Sequence, residues 1–210
     1  MRIAVIGTGN MGQGFVKQLT LAGHEVRVTA RDLTKARALA AQYPGAVAVE
    51  SGDALQDSDI AILAVGYNDA HSALRSLGDL KGKVIIDITN PLTADYMGLT
   101  LGHNTSAGEE IAKMVPEAIV VKAFNTIFAQ VLSEGAKFAQ NATVPAFYAT
   151  DSESAKESVR ELIESIGFSP IYSGGLKNSR YLEPLGGLNI YFGYGANKGT
   201  QIAPTWISRI

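Results

Sequence analysis

Six residues near the start of the chain form a glycine-rich turn that could hold a dinucleotide. Gly7-Thr8-Gly9-Asn10-Met11-Gly12 follows the apolar run 2–6 and leads into a stretch whose apolar residues recur at helical spacing. In this order of strand, turn and helix, the first glycine makes the tight turn, the second lets a pyrophosphate approach the backbone, and the third lets helix and strand pack closely. We expect phosphates to bind the N–H groups that open the helix, the alternative being a glycine turn without a ligand.

The residues after the second predicted strand, 25–29, indicate which dinucleotide binds. NAD enzymes place an Asp or Glu at this point, where it bonds the ribose 2′-hydroxyl. Here Arg31 stands at the turn and Lys35 lies one helical turn further on. Because a guanidinium and an ammonium suit a 2′-phosphate, we predict NADP. Asp32 could be the ribose acid instead, but we interpret it as the N-cap of a helix over 33–41.

Three further apolar runs, 59–65, 83–87 and 118–123, are typical of parallel strands covered on both faces. Ligands of an open α/β sheet bind outside the carboxyl ends of its strands. We therefore expect the residues at these ends to line the cofactor site, although an Asn-Pro pair is also common in ordinary turns. The residues concerned are Ala64, Val65, Asn90, Pro91 and Asn125.

Groups for acid–base, nucleophilic or metal chemistry are scarce. The sequence has no cysteine and no G-x-S-x-G motif, and its three histidines are scattered. His24 is predicted at the opposite end of the sheet, His71 on a helix surface and His103 in a loop. Lys122, near the end of a strand, could be catalytic, but we interpret it as an ordinary amphipathic lysine. We predict no catalytic acid–base residue and no metal site.

Alternating strands and helices with short connections predict an α/β fold, a doubly wound and mainly parallel sheet of the Rossmann NAD(P)-binding type. We assign residues 1–150 to the dinucleotide-binding core. Residues 151–210 form a small C-terminal βα extension and tail, packed on the same domain. We expect this extension to provide the acceptor pocket and dimer contacts.

Composition limits the partners of the protein. Of its 210 residues, 46% are hydrophobic and 18% charged, and the net charge of −2 does not suggest a nucleic-acid or membrane surface. The longest apolar run is too short to span a bilayer, and the first strand leaves no room for a signal peptide, so we expect a cytoplasmic protein. The tail carries many large apolar residues for an exposed terminus, which predicts a homodimer. They are Leu185, Leu188, Ile190, Tyr191, Phe192 and Trp206.

Several motifs together resemble one family, the NADP-dependent reductases of the deazaflavin coenzyme F420 and their relatives, among them the cytosolic domain of STEAP-type ferric reductases. These motifs are the glycine turn, Arg31 with Lys35, Asp87-Ile88-Thr89-Asn90-Pro91, Val121-Lys122-Ala123-Phe124-Asn125 and Asn178-Ser179-Arg180. The resemblance implies that Thr8, Asn10 and Met11 join the turn at the pyrophosphate and that Arg31 binds the 2′-phosphate. It also implies that Val65 and Asn90 lie by the nicotinamide ribose. The tail departs from the family pattern at Gly186-Gly187 and at the aromatic segment 191–194.

The leading hypothesis is an enzyme that passes a hydride from NADPH to a small planar acceptor, with a flavin or deazaflavin as second ligand. One alternative is a reductase of a small imine or carbonyl. Such enzymes typically add a long helical domain, for which the roughly 40 residues after the last predicted strand leave little room. Another alternative is a non-catalytic NADP sensor.

Overall fold

The computed structural model describes residues 1–58 and 60–209, without the side chain of Gln140. Its strands belong to one sheet. They are β1 (Arg2–Ile6), β2 (Glu25–Thr29), β3 (Ala46–Ala48), β4 (Ile60–Leu63), β5 (Val84–Asp87), β6 (Ile119–Ala123), β7 (Pro145–Ala149) and β8 (Ser169–Tyr172). The order across the sheet is β3-β2-β1-β4-β5-β6-β7-β8.

Helices cover both faces of the sheet. They are α1 (Asn10–Leu21), α2 (Leu33–Ala40), α3 (Tyr67–Arg75), α4 (Ala107–Met114), α5 (Ala129–Glu134), α6 (Glu153–Ser165) and α7 (Ser179–Ile190). A π-helical turn, Tyr191–Gly195, continues α7. Short 3-10 turns lie at Ser51–Asp53, Ala139–Asn141 and Leu176–Asn178.

The sheet topology confirms the predicted Rossmann fold. All neighbouring strands are parallel except β6 and β7, which are antiparallel. The chain passes from β1 outward to β3 and then returns to β4 on the other side of β1, so the strand order reverses between β1 and β4. A crevice outside the carboxyl ends at such a reversal is where α/β sheets bind ligands.

The core lies on both faces of the central strands, which explains their continuous apolar sequence. In β1, Ile3 and Val5 face the helices on one side, whereas Ala4 and Ile6 face those on the other. Phe15 of α1 meets the ring of Phe124 edge to face at 5.1 Å. Helix α1 is thereby held against the strands whose ends form the crevice.

The predicted elements are confirmed within a few residues, with two additions. The predicted strand 59–65 is observed as Ile60–Leu63, and Asp59 lies outside the described residues. Helix α5 was not predicted because its six residues are too short to show a clear period. The C-terminal tail, expected to provide pocket and dimer contacts, forms α7 despite Pro184 within the helix.

Side chains cap the starts of α2 and α6, the first of them as predicted. Asp32 Oδ1 accepts a hydrogen bond from Thr34 N at 3.0 Å, which confirms Asp32 as the N-cap of α2. Ser152 Oγ accepts from Ala155 N at 3.3 Å and caps α6. A cap of this kind typically stabilises a helix by about 1 kcal/mol.

Candidate active site

The three glycines of the turn meet different surroundings. A Cβ added to Gly7 would lie 2.3 Å from the carbonyl oxygen of Ala64, and Gly7 has a φ of 117° that favours glycine. A Cβ on Gly12 would lie 2.1 Å from the carbonyl oxygen of Gly7. Beside Gly9 there is nothing within 4 Å. Gly7 and Gly12 are therefore required for packing within the protein, whereas Gly9 leaves open space beside the turn.

The first residues of α1 present backbone donors to that space. Gly9 is the N-cap and supplies no side-chain cap, and the first intrahelical bond runs from Gln13 N to Gly9 O at 2.9 Å. Helix geometry leaves the N–H groups of Asn10, Met11 and Gly12 without intrahelical partners, and they lie at the positive end of the helix dipole. Thr8 and Asn10 flank the same opening, which suits an anion.

The predicted 2′-phosphate site is exposed. The Arg31 side chain is 81% accessible, and its Nη1 lies 3.1 Å from Asp69 Oδ1, near the start of α3. Lys35 is exposed on α2. The structure therefore presents the Arg31 guanidinium to solvent, with one neighbouring carboxylate in contact.

Asn90 and Asn125 are brought together at the other end of the crevice. Asn90 Nδ2 donates to Asn125 O at 2.7 Å, and Asn125 Nδ2 donates to Asn90 Oδ1 at 2.9 Å. Asn125 Nδ2 also donates to Leu182 O in α7 at 2.8 Å. The buried Pro91 follows, and its carbonyl accepts from Thr100 N at 2.7 Å. The amide pair thus joins the ends of β5 and β6 to α7.

A cavity of about 510 Å³ opens beside this amide pair. It is lined mainly by apolar groups from the glycine turn, the ends of β5 and β6, the loop 95–97 and α7. The lining residues are Met11, Ile88, Asn90, Asp95, Tyr96, Met97, Phe124, Asn125, Thr126, Ile127, Phe128, Ala129, Gly186, Asn189, Ile190 and Tyr194. Sequence reasoning missed the loop and the individual α7 residues, because only the folded chain brings them to the crevice.

Gly186 sets the approach of α7 to the amide pair. A Cβ at this position would lie 2.8 Å from Asn90 Oδ1 and 2.9 Å from Asn125 O. At the next residue, Gly187, a Cβ would make ordinary contact with Leu99 at 3.7 Å. Only the first of these two neighbouring glycines is therefore needed for the close approach of the helix.

Lys122 differs from the sequence interpretation. It is fully buried, and its Nζ lies 2.6 Å from Asp87 Oδ2 and 2.8 Å from Glu183 Oε1. Nζ also donates to Thr89 O at 2.8 Å. The prediction of an ordinary amphipathic lysine was wrong, because ion pairs with two carboxylates and a hydrogen bond to Thr89 O fix the ammonium inside the protein. A signal was available, since Lys122 interrupts an apolar run, and a charge in a covered strand must be paired.

The three histidines lie away from the cavity, whereas Asp95 and Tyr67 are titratable groups with shifted pKa values. His24 is buried at the opposite end of the sheet beside the Met1 ammonium, and burial followed by that charge lowers its pKa. His71 and His103 are exposed. Asp95 lines the cavity. The hydrogen bond that its carboxylate accepts from the Thr93 hydroxyl is the main cause that lowers its pKa, and the hydrogen bond from Met97 N is the second. Burial, followed by the nearby Glu110, Glu183 and Asp87, raises the pKa of Tyr67.

Over residues 1–58 and 60–209 no group of three or more His, Asp or Glu side chains is placed to hold a metal ion. Within the same residues no helix has the length and apolar character needed to cross a bilayer.

The strand order and the glycine turn define a Rossmann-type dinucleotide-binding protein. Residues 2–91 match the family described as NADP oxidoreductase, coenzyme F420-dependent. The chain is 32% identical over 203 residues to the F420-dependent NADP reductase of Methanothermobacter marburgensis, covering 88% of this chain and 89% of that protein. It belongs to this family of coenzyme F420-dependent NADP oxidoreductases.

Two further similarities differ in extent. A crystal structure of a provisional F420-dependent NADP reductase from Arthrobacter sp. FB24 superposes with a TM-score of 0.83 at 28% identity, over 94% of this chain and 95% of that one. Metalloreductase STEAP3 of Rattus norvegicus is 28% identical over 185 residues. The chain spans only 36% of the length of that metalloreductase.

Proposed function

We propose that this oxidoreductase passes a hydride between NADPH and a flavin- or deazaflavin-like ring held in the cavity. The observation that carries the proposal is the position of the cavity, which begins at Met11 in the glycine turn and continues to α7. Its volume of about 510 Å³ lies in the range of cofactor and drug-sized sites. The names of the family and of its F420-dependent relatives support the same acceptor class.

The residues of the turn fit a dinucleotide. The opening beside Gly9 and the N–H groups at the start of α1 would hold the pyrophosphate, flanked by Thr8 and Asn10. Arg31 would bind the 2′-phosphate, with Lys35 adding positive charge. Ala64 and Val65 lie against Gly7, and in this proposal they would line the part of the site between the turn and the cavity.

The residues at the ring end would orient two rings and exclude water. NADPH, when bound, supplies the hydride from its dihydronicotinamide ring. Asn90, Pro91 and Asn125 would hold the nicotinamide riboside, and the hydrogen bonds between Asn90 and Asn125 fix these two residues before binding. The negative charge that develops is spread over the heteroatoms of a flavin-like acceptor. The protein therefore needs to supply no general acid.

Three further features belong to this proposal. The division into 1–150 and 151–210 assigns the phosphate turn to the first segment and α7 to the second.

A homodimer through the tail is supported by the exposure of Tyr181, Leu188 and Trp206 around a groove beside Phe147. Sedimentation at micromolar concentration tests it, and a monomer mass would contradict it. A cytoplasmic location stays a prediction from the sequence.

Steady-state oxidation of NADPH with a panel of acceptors tests the proposed function. The panel holds a flavin, coenzyme F420, a quinone, a ferric chelate and a cyclic imine. We expect the highest kcat/KM with the flavin or with F420. Turnover restricted to the imine would support the alternative reductase, and tight NADPH binding without turnover would support a sensor.

A pair of variants tests whether the cavity binds the acceptor. Gly186→Ala forces a methyl group against the amide pair, so we expect kcat/KM for the best acceptor to fall by about tenfold or more, as for a displacement of the reacting groups. Gly187→Ala is the matched control and should stay within about twofold, since its methyl group makes only ordinary van der Waals contact with Leu99. Equal activity of both variants would contradict the assignment of the cavity.

A further inference from the structure

The ion cluster formed by Lys122, Asp87 and Glu183 lies directly behind the amide pair. Asp87 and Lys122 are register partners on β5 and β6, and Glu183 reaches them from α7. All three side chains are essentially inaccessible to solvent. Such an arrangement is costly to desolvate and often contributes little net stability compared with apolar residues, so its presence calls for another explanation.

One side of the cluster fixes the segment that carries Asn90. Asp87 Oδ1 accepts from Thr89 N at 2.8 Å, and Lys122 Nζ donates to Thr89 O at 2.8 Å. The N–H and the carbonyl of Thr89 are therefore both held by charged groups. Charge-assisted bonds are stronger than neutral ones, so the backbone immediately before Asn90 is held firmly.

The other side of the cluster fixes α7. The Glu183 carboxylate accepts from Ala107 N at 2.9 Å and from Gly108 N at 3.0 Å, at the start of α4. Two carboxylates thus face one ammonium and the positive end of a helix dipole, which balances the charge. Gly186 follows Glu183 by one helical turn and contacts the Asn90 and Asn125 amides. The position of Glu183 therefore determines how α7 meets the ring end.

We propose that Glu183, acting through Lys122 and Asp87, is a positioning residue for the dihydronicotinamide ring. The cluster joins the two structures that border the ring, the Thr89–Asn90 backbone and α7, through one buried ammonium. The inference rests on the proposed function, because it concerns the ring of NADPH in that site. A cluster that served stability alone would not affect where the ring of a bound cofactor lies.

The test compares two ligands on the purified full chain. Glu183→Gln keeps the size of the side chain and one acceptor oxygen but removes the charge that meets Lys122. We expect 2′-phospho-ADP-ribose, which lacks nicotinamide, to bind with unchanged affinity in calorimetry. NADPH should bind about tenfold more weakly, and the fluorescence increase of its bound dihydronicotinamide ring should fall, because only ring contacts are lost.

Two more variants make the result decisive. Asp87→Asn keeps an acceptor for Thr89 N but removes the second negative charge beside Lys122. It should therefore also weaken NADPH binding and leave the binding of 2′-phospho-ADP-ribose unchanged. This variant provides the test if Glu183→Gln fails to fold. Glu110→Gln removes a partly exposed carboxylate that pairs with Lys113 on α4; it is the control and should bind both ligands normally. Unchanged NADPH binding and fluorescence, or equal loss of both ligands, would overturn the inference. Failure of the unmodified protein to bind NADPH would instead contradict the proposed function.

Discussion

The two ends of the proposed dinucleotide site use charge in opposite ways. At the phosphate end, the Arg31 side chain is 81% exposed and forms an ion pair with the half-exposed Asp69. At the ring end, Lys122 is fully buried between Asp87 and Glu183. An exposed ion pair is worth little to the fold, whereas breaking a buried one is costly. Charge at the first end is therefore available to a ligand, and charge at the second is committed to the protein itself.

The largest expected effect of a single substitution is on stability at the ring end. Lys122→Met leaves two buried carboxylates without their ammonium, so we expect the free energy of unfolding to fall by about 3–5 kcal/mol. Urea denaturation followed by circular dichroism measures it. The control is Lys113→Met, which removes an exposed partner of Glu110 and should change stability by less than about 0.5 kcal/mol. Similar small losses in both variants would remove the contrast between the two ends.

At the phosphate end the effect should fall on the ligand and leave the fold intact. Arg31→Ala should weaken NADPH binding by about 1.5–3 kcal/mol, the range for a bond to a charged group, with little effect on NADH. Calorimetry with both cofactors measures this, alongside urea denaturation to show unchanged stability. Asp69→Asn is the matched variant, and it should bind NADPH at least as well because the guanidinium is no longer shared. Equal losses for NADPH and NADH would defeat the 2′-phosphate assignment.

Within the glycine turn the same contrast can be tested two residues apart. Gly12→Ala places a methyl group against the Gly7 carbonyl, and such overpacking should destabilise the free protein by about 1–3 kcal/mol. Gly9→Ala meets open space, so it should destabilise the free protein less than Gly12→Ala, only by the N-cap preference for Gly over Ala, while NADPH binding weakens. Denaturation and calorimetry on both variants separate these outcomes. A Gly9→Ala protein that binds NADPH normally would show that no phosphate approaches there.

The difference between the two ends also explains what the sequence predicts well. The glycine turn and the Asp32 cap depend on residues close together in the chain, so their spacing was sufficient to predict the local structure. The ring end joins β5, β6, α4 and α7, and bonds such as that from Asn125 to Leu182 span 57 residues. Asn90 and Asn125 were found by their places at strand ends. Glu183, Gly186 and the loop 95–97 were missed because only packing brings them there.

The smallest expected effect is that of pH on hydride transfer, and it concerns the ring end. The hydroxyl bond from Thr93, followed by the Met97 N–H, lowers the pKa of Asp95, so this carboxyl is ionised throughout pH 6 to 9. Burial, followed by nearby carboxylates, raises the pKa of Tyr67, so this phenol is neutral over the same range. Neither group changes its charge between pH 6 and 9.

We therefore expect the rate of hydride transfer, with saturating NADPH and the best acceptor, to be nearly flat over this range. Tyr96 and Tyr194 also line the cavity, so Tyr96→Phe and Tyr194→Phe should each retain activity within about twofold if no general acid is needed. His71→Ala, on the surface, is the control and should retain full activity. A single ionisation that disappears with either tyrosine would identify a proton donor and favour reduction of a carbonyl or imine. Ring-to-ring transfer requires none, since the acceptor ring itself takes up the charge.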